Sequence, residues 1–375
     1  MIPKEVFEQT VLQFLAPVRK YLDDPTVSEV MINGPFEVRI ERRGKIERTD
    51  AKFETHEQLM AALRNIAQFV GRVVNEERPI LEARLPDGSR VEAIIPPAAP
   101  GGPYIAIRRF LKSSVSVEQL IGFGALTKDA AEFLSAAVLA KQNVLVAGGT
   151  GSGKTTMLNA LSGFIDKRER IVVIEDSQEL QLQQDHVVQL EARPPDSRGK
   201  GEVTIRDLFK ATLRMRPDRI VVGEIRAGEA LDLVQAMTSG HGGGLATVHA
   251  TYPHDTMSRI ETMAMMSDVD MPLEALRTQI ASAINLIVQT GRLSDGGRAI
   301  THITEVHGYE VDRGYVLADI YLRKYSGQDA SGKVLSTFEP TGTLPRVTPV
   351  IEGMGLTLPK GLAAAIKAKS QGGRG

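Results

Sequence analysis

Apolar positions along the first third of the chain follow two different periods. Phe7, Val11, Phe14, Val18 and Leu22 recur at helical spacing, and Asp23-Asp24-Pro25 stops the run, which predicts one leading helix. Val38 and Ile40 then alternate with charged residues, and Arg43-Gly44-Lys45 supplies a turn before Ile46. Leu59, Leu63, Ile66 and Val70 mark the apolar face of a second helix, and strands are predicted over residues 91–95 and 104–110. In the last of these, Ile105 and Ile107 share one face, so Arg108 points away from the core with Tyr104, Ala106 and Phe110. These elements make a small α+β domain over residues 1–112, with a linker over 113–127 that carries Gly122 and Gly124.

The pattern changes at residue 128. Short apolar runs at 143–147, 171–174, 220–222 and 245–248 alternate with helical segments. Such alternation predicts an α/β domain, a parallel sheet covered by helices, over residues 128–330. Runs at 286–289 and 300–306 flank a turn at 294–297 and predict an antiparallel addition. Residues 331–375 carry Pro and Gly and then a short Ala/Lys-rich helix, and read as a C-terminal tail.

Composition narrows the function classes. The 375 residues are 42% apolar and 24% charged, which is the balance of a folded globular chain. Lys plus Arg number 45 and Asp plus Glu 46, and aromatics are 5%, so no stable nucleic acid partner is expected. There is no cysteine, which excludes disulfides and thiolate zinc sites. The opening MIPKEVFEQT lacks a signal-peptide pattern, and no apolar run approaches the ~20 residues of a membrane helix. The expected location is cytoplasmic, with any inner-membrane contact made through partner proteins.

The chemistry centres on Gly148-Gly149-Thr150-Gly151-Ser152-Gly153-Lys154-Thr155-Thr156. This run has the P-loop spacing, with an apolar strand leading in and a helical segment leading out. Glycines let the backbone wrap a phosphate, and the helix N-terminus aims N–H groups at the anion. Lys154 is expected to neutralise the β and γ phosphates of ATP, with the Thr155 hydroxyl on Mg2+. Glu224 ends the apolar strand that begins at Arg219. It is expected beside the P-loop strand, orienting the attacking water or touching the metal, because Gly223 occupies the usual metal-binding Asp position. Glu175 ends another strand and is a candidate general base, with Glu179 as second choice one helical turn on. His249 ends the strand over 245–248 and reads either as a γ-phosphate sensor or as a structural histidine. His241 opens a Gly-Gly-Gly run that has no esterase elbow to go with it. Arg90, Arg108 and Arg109 in the first domain, and Arg206, Arg214, Arg216 and Arg219 in the second, are candidate phosphate contacts.

As a set, these motifs resemble the type II/type IV secretion ATPase superfamily. Gly148 to Thr156 looks like its Walker A, Ile174-Glu175-Asp176 its Asp box, residues 213–224 its Walker B and residues 239–250 its His box. Arg84-Leu85-Pro86-Asp87-Gly88-Ser89-Arg90-Val91, Ile107-Arg108-Arg109-Phe110 and Glu191-Ala192-Arg193-Pro194-Pro195 look most like the tight-adherence (Flp-type) pilus branch. The resemblance implies a RecA-like P-loop ATPase domain preceded by a smaller PAS-like α+β domain, and a homo-hexamer working on an inner-membrane platform protein. It also implies His249 as phosphate sensor, Arg90 and Arg108 as nucleotide contacts, and an extension ahead of residue 1. The activity implied is ATP hydrolysis that drives pilus assembly, or retraction, or a secretion machine. Conjugative type IV and type II secretion ATPases are the near alternatives, although the zinc-bearing type II form is excluded by the lack of cysteine. A RecA-like nucleic-acid motor and an ATP-gated scaffold that hardly turns over are further alternatives.

Overall fold

The computed structural model describes residues 4–42, 44–110, 115–196 and 199–372, so the expected Arg43 turn and the junction at 111–114 lie outside the described residues. The chain divides into two compact units, residues 1–113 with 195–201, and residues 114–194 with 202–375.

The first unit opens with α1 (Lys4–Phe14) and a separate short α2 (Arg19–Asp23), joined by a 3-10 turn at Ala16–Val18. The single leading helix is thus corrected to two. Pro17 has no N–H to continue the ladder, yet Val11, Val18 and Leu22 are all buried, so the apolar period outlasts the helix. Six antiparallel strands follow: β1 (Val27–Asn33), β2 (Val38–Arg42), β3 (Lys45–Arg48), β4 (Ile80–Arg84), β5 (Arg90–Ile94) and β6 (Tyr104–Arg108). They form one sheet in the order β3-β2-β1-β6-β5-β4. α3 (His56–Phe69), capped by the Thr55 hydroxyl on Gln58 N at 3.1 Å, buries Leu59, Leu63 and Ile66 in the same core as Ile105 and Ile107. Arg108 lies on the exposed face of β6, as the alternation requires. The cross-strand register sets Arg84 beside Arg90 and Arg90 beside Arg108, a row of three guanidinium groups on that face.

The second unit begins with α4 (Val117–Gly122), where a linker was expected. Ser116 and Gln119 close a reciprocal capping box that gives so short a helix its start. Then come α5 (Lys128–Leu139), β7 (Val144–Gly148), α6 (Lys154–Ser162), β8 (Ile171–Glu175), β9 (Val187–Glu191), α7 (Ile205–Thr212), β10 (Arg219–Ile225), α8 (Glu229–Thr238), β11 (Leu245–Val248), α9 (Pro253–Ala264) and α10 (Leu273–Ala283). β12 (Leu286–Arg292), β13 (Arg298–Glu310), β14 (Gly314–Gln328), β15 (Val334–Pro340), α11 (Thr348–Gly353) and α12 (Lys360–Gly372) complete it. The nine strands lie in the order β15-β14-β13-β12-β7-β11-β10-β8-β9. β12, β7, β11, β10, β8 and β9 run parallel, and the rest are added antiparallel.

Both faces of the parallel part are covered. Val144 and Val146 pack into one core and Leu145 and Ala147 into the other, which is why the strand is apolar throughout. The segment 331–375, read as a tail, contributes β15 to the sheet and Phe338, Val347, Ile351 and Leu362 to the first of these cores. The order also corrects the expected neighbour of the P-loop strand. β11 lies between β7 and β10, so His249 rather than Glu224 ends the adjoining strand.

Candidate functional site

β7 delivers Gly148 to the carboxyl edge of the sheet, where the loop turns into α6. A Cβ on Gly148 would overlap Thr290 Oγ1 and Ser152 Oγ, so no side chain fits there. Ser152 Oγ donates to Gly149 O at 2.8 Å and lies 2.8 Å from Thr290 Oγ1, and Thr290 Oγ1 reaches Ala147 O at 2.9 Å. Arg298 Nε donates to Gly151 O at 2.8 Å. β12 and β13 therefore brace the loop from the side. Gly151 and Gly153 have φ of +69° and +96°, a region that favours glycine. Gly153 caps α6 with no side-chain acceptor, so the first N–H groups of this nine-residue helix are left to the loop, the arrangement that receives a phosphate.

Lys154 is buried and curls back into the loop. Its Nζ donates to Gly149 O at 3.2 Å and sits 3.3 and 3.4 Å from the two ring nitrogens of His249. His249 Nε2 is 2.6 Å from Glu224 Oε1. Burial, then the charge of Lys154, pushes the His249 pKa below its ordinary value, against the pull of Glu224. A neutral imidazole fits its partners as the tautomer that donates from Nε2 to Glu224 and accepts at Nδ1 from Lys154. The P-loop cation, the histidine of β11 and the carboxylate of β10 thus form one hydrogen-bonded chain. The other oxygen of Glu224 accepts from Arg226 Nε at 2.6 Å, and Arg226 also pairs with Asp176.

Glu175 ends β8 almost fully buried, with Oε1 accepting from Glu179 N and Leu180 N at 2.9 Å each. Burial outweighs those two bonds and pushes its carboxyl up to about 7. Its side chain lies where a side chain at residue 223 would project, since a Cβ on Gly223 would meet Glu175 Cγ at 2.8 Å. The segment after β8 is not helical, so Glu179 is not one turn on but donates its own N–H to Glu175.

Other candidates separate from this cluster. His241 precedes β11 at the opposite end of the strand from His249, and its N–H bonds to Ala236 O. The glycines after it are set by packing: Gly243 has φ +83°, and a Cβ there would overlap the Arg219 guanidinium. Arg219 is itself a structural residue, 1% exposed, paired with Glu169 and donating to Val138 O at 2.7 Å and Gly243 O at 3.1 Å. Arg206 pairs with Asp232 and Asp268, and Arg109 Nη1 donates to Val27 O at 3.2 Å. Arg90 and Arg108 belong to the first unit, in the arginine row on its sheet. Sequence reasoning missed Arg226, Thr290 and Arg298. Arg226 alone carried a signal, two residues after Glu224 and so on the same side of an extended chain.

Among the described residues no group of three or more His, Cys, Asp or Glu side chains could hold a metal ion. Mg2+ binds through one or two protein oxygens, waters and substrate phosphates, and the Thr155 hydroxyl in the first turn of α6 is a donor of that kind.

The model of the type II/IV secretion system protein family matches residues 12–305. The type IV secretion system protein PtlH of Bordetella pertussis is 36% identical over 311 residues, 76% of this chain and 91% of that protein. A putative conjugal transfer protein of Mycobacterium tuberculosis is 33% identical over 301 residues, 79% of this chain and 85% of that one. Among solved structures, the ATPase DotB of Legionella pneumophila matches with a TM-score of 0.55 at 16% identity, over 80% of this chain and 82% of that one, a likeness of fold alone.

Proposed function

We propose that this chain, which belongs to the type II/IV secretion system protein family, is an ATP-hydrolysing motor of a secretion or pilus machine and works as a homo-hexamer on an inner-membrane platform protein. The observation that carries the reading is the Lys154–His249–Glu224 chain, which links the phosphate loop to a water-orienting carboxylate across β11. In this proposal the backbone of Gly148 to Thr156 cradles the phosphates and Lys154 moves from Gly149 O to the β and γ oxygens. That movement withdraws one partner from His249, so the imidazole follows the γ-phosphate and frees Glu224 Oε1 for the attacking water. Thr155 holds magnesium, which when bound neutralises phosphate charge. Glu224, held by Arg226 and His249, serves the water rather than the metal. Glu175, poised near neutral pH, takes up or releases the proton. Arg90 and Arg108, with Arg84 beside them, supply guanidinium contacts to phosphate.

Two assays test this together. Steady-state ATPase activity should fall with Glu224→Gln while binding of a fluorescent ATP analogue persists, and both should fall with Lys154→Ala. Parental turnover in both variants would overturn the assignment. For the machine driven, the motifs at residues 84–91, 107–110 and 191–195 favour a tight-adherence pilus, whereas the names of the relatives at 33 and 36% identity favour a conjugative or type IV secretion system. Loss of surface pili on deletion of the gene supports the first, and loss of substrate transfer with pili intact supports the second.

A further inference from the structure

The turn after β10 is fixed before α8 begins. Buried Glu229 accepts from Arg226 N at 2.7 Å and from Ala227 N at 3.0 Å with one oxygen, which pins the Arg226 backbone. At its far end the Arg226 guanidinium donates through Nη1 to Asp176 Oδ2, just beyond β8. Between these anchors its Nε and Nη2 lie 2.6 and 2.5 Å from the same oxygen of Glu224, Oε2. The other oxygen, Oε1, is thereby turned toward His249 and the phosphate loop.

A half-exposed ion pair of this kind contributes little stability. Its geometric effect is larger. Glutamate has several rotatable bonds, and a reacting group displaced by about 1 Å can lose on the order of 10²-fold in rate. A planar guanidinium with two donors on one oxygen and a third on Asp176 removes that freedom, and a lysine ammonium cannot reproduce the fork.

We propose that Arg226, oriented by Asp176 and Glu229, is a positioning residue that aims Glu224 at the attacking water. The proposal rests on the reading of Glu224 as the water-orienting carboxylate. Arg226 takes Oε2 and leaves Oε1 for the reaction. Asp176, placed beside the Asp-box acid by sequence, then acts through Arg226 and not on the nucleotide.

The test uses the full chain with Arg226→Ala, Arg226→Lys, Asp176→Asn and Glu224→Gln, measuring kcat, nucleotide affinity and the thermal midpoint. Arg226→Ala should lower kcat by about 10- to 100-fold, with affinity and midpoint near parental values. Arg226→Lys should recover part of the loss. Millimolar methylguanidinium should raise the rate of Arg226→Ala and leave that of Glu224→Gln unchanged, a response that a merely structural arginine would not give. Asp176→Asn keeps the guanidinium and should give a smaller loss in the same direction, so it carries the test if Arg226→Ala does not fold. Parental or raised kcat in Arg226→Ala, or in Asp176→Asn where that variant carries the test, overturns the role of Arg226 while an inactive Glu224→Gln leaves the Glu224 reading standing. Parental turnover in Glu224→Gln rejects the Glu224 reading, and the Arg226 proposal falls with it.

Discussion

Replacing Glu175 by Gln should flatten the pH dependence of stability between pH 5 and 8. Glu175 is 3% exposed, and burial raises its carboxyl from 4.5 to about 7. A gap of about 2.5 units at about 1.36 kcal/mol each is worth roughly 3 kcal/mol, as an upper value. The folded pKa lies above the unfolded one, so folding favours the protonated acid. The stabilisation from that acid is fully present below pH 4.5 and is lost as pH rises through 7. Gln keeps an acceptor oxygen for the N–H groups of Glu179 and Leu180, has nearly the same volume and does not ionise. The variant should therefore match the parent near pH 4.5 and exceed it by up to about 3 kcal/mol at pH 8. Urea unfolding followed by circular dichroism measures this, because the chain has no tryptophan to report by fluorescence. Midpoints at pH 5, 6, 7 and 8, compared at equal slope, give the difference directly. Parallel curves for parent and variant would refute the reasoning and make Glu175 an ordinary solvated acid. ATPase activity of the same variant separates the roles: a more stable but slower enzyme marks Glu175 as a group held for chemistry.

Lys154→Ala should weaken ATP binding at least tenfold, about 1.4 kcal/mol, read by titration of a fluorescent analogue. Glu224→Gln should bind ATP normally and lose turnover by about 10²-fold or more in a steady-state assay. Arg108→Ala should cut ATPase activity of the full chain without changing its thermal midpoint, since the side chain is exposed and its strand neighbours Ile105 and Ile107 keep the core; unchanged turnover would return Arg108 to the surface. Gly243→Ala should destabilise the second unit by about 1–3 kcal/mol, because a methyl there needs a positive φ and displaces the buried Arg219; a midpoint within error of the parent would reject that packing argument.

What could be read from the sequence depended on how local the cause was. The parallel strands were legible because burial on both faces leaves runs such as Val144-Leu145-Val146-Ala147 wholly apolar. β1 was not, because a register shift between Val27 and Glu29 breaks the alternation that Val27, Val30 and Ile32 would otherwise show. β14 is mostly only half-buried before its exposed end, and β15 buries only Phe338, so neither carries a strong period. The phosphate loop was legible in one stretch of nine residues. Its braces, Thr290 and Arg298, lie more than a hundred residues away and are set by β12 pairing with β7, which no local pattern encodes. The placing of β11 between β7 and β10 is likewise a property of sheet order.

Gly223 shows how a side chain of one strand fills the space in front of its neighbour. A strand that ends Gly223-Glu224 lacks the aspartate expected one residue before the glutamate, and the sequence alone assigns both tasks to Glu224. In the folded chain the space in front of Gly223 is filled by Glu175 from the neighbouring strand β8, held by two backbone N–H groups and packed so close that residue 223 has no room for a side chain. Glu175 of β8 thus occupies the space at residue 223, and the two acids experience different surroundings. Glu224 faces one cationic partner, Arg226, and His249, whereas burial pushes the Glu175 carboxyl up to about 7. An Ala at 223 would displace Glu175, which is the physical reason for a glycine at that position.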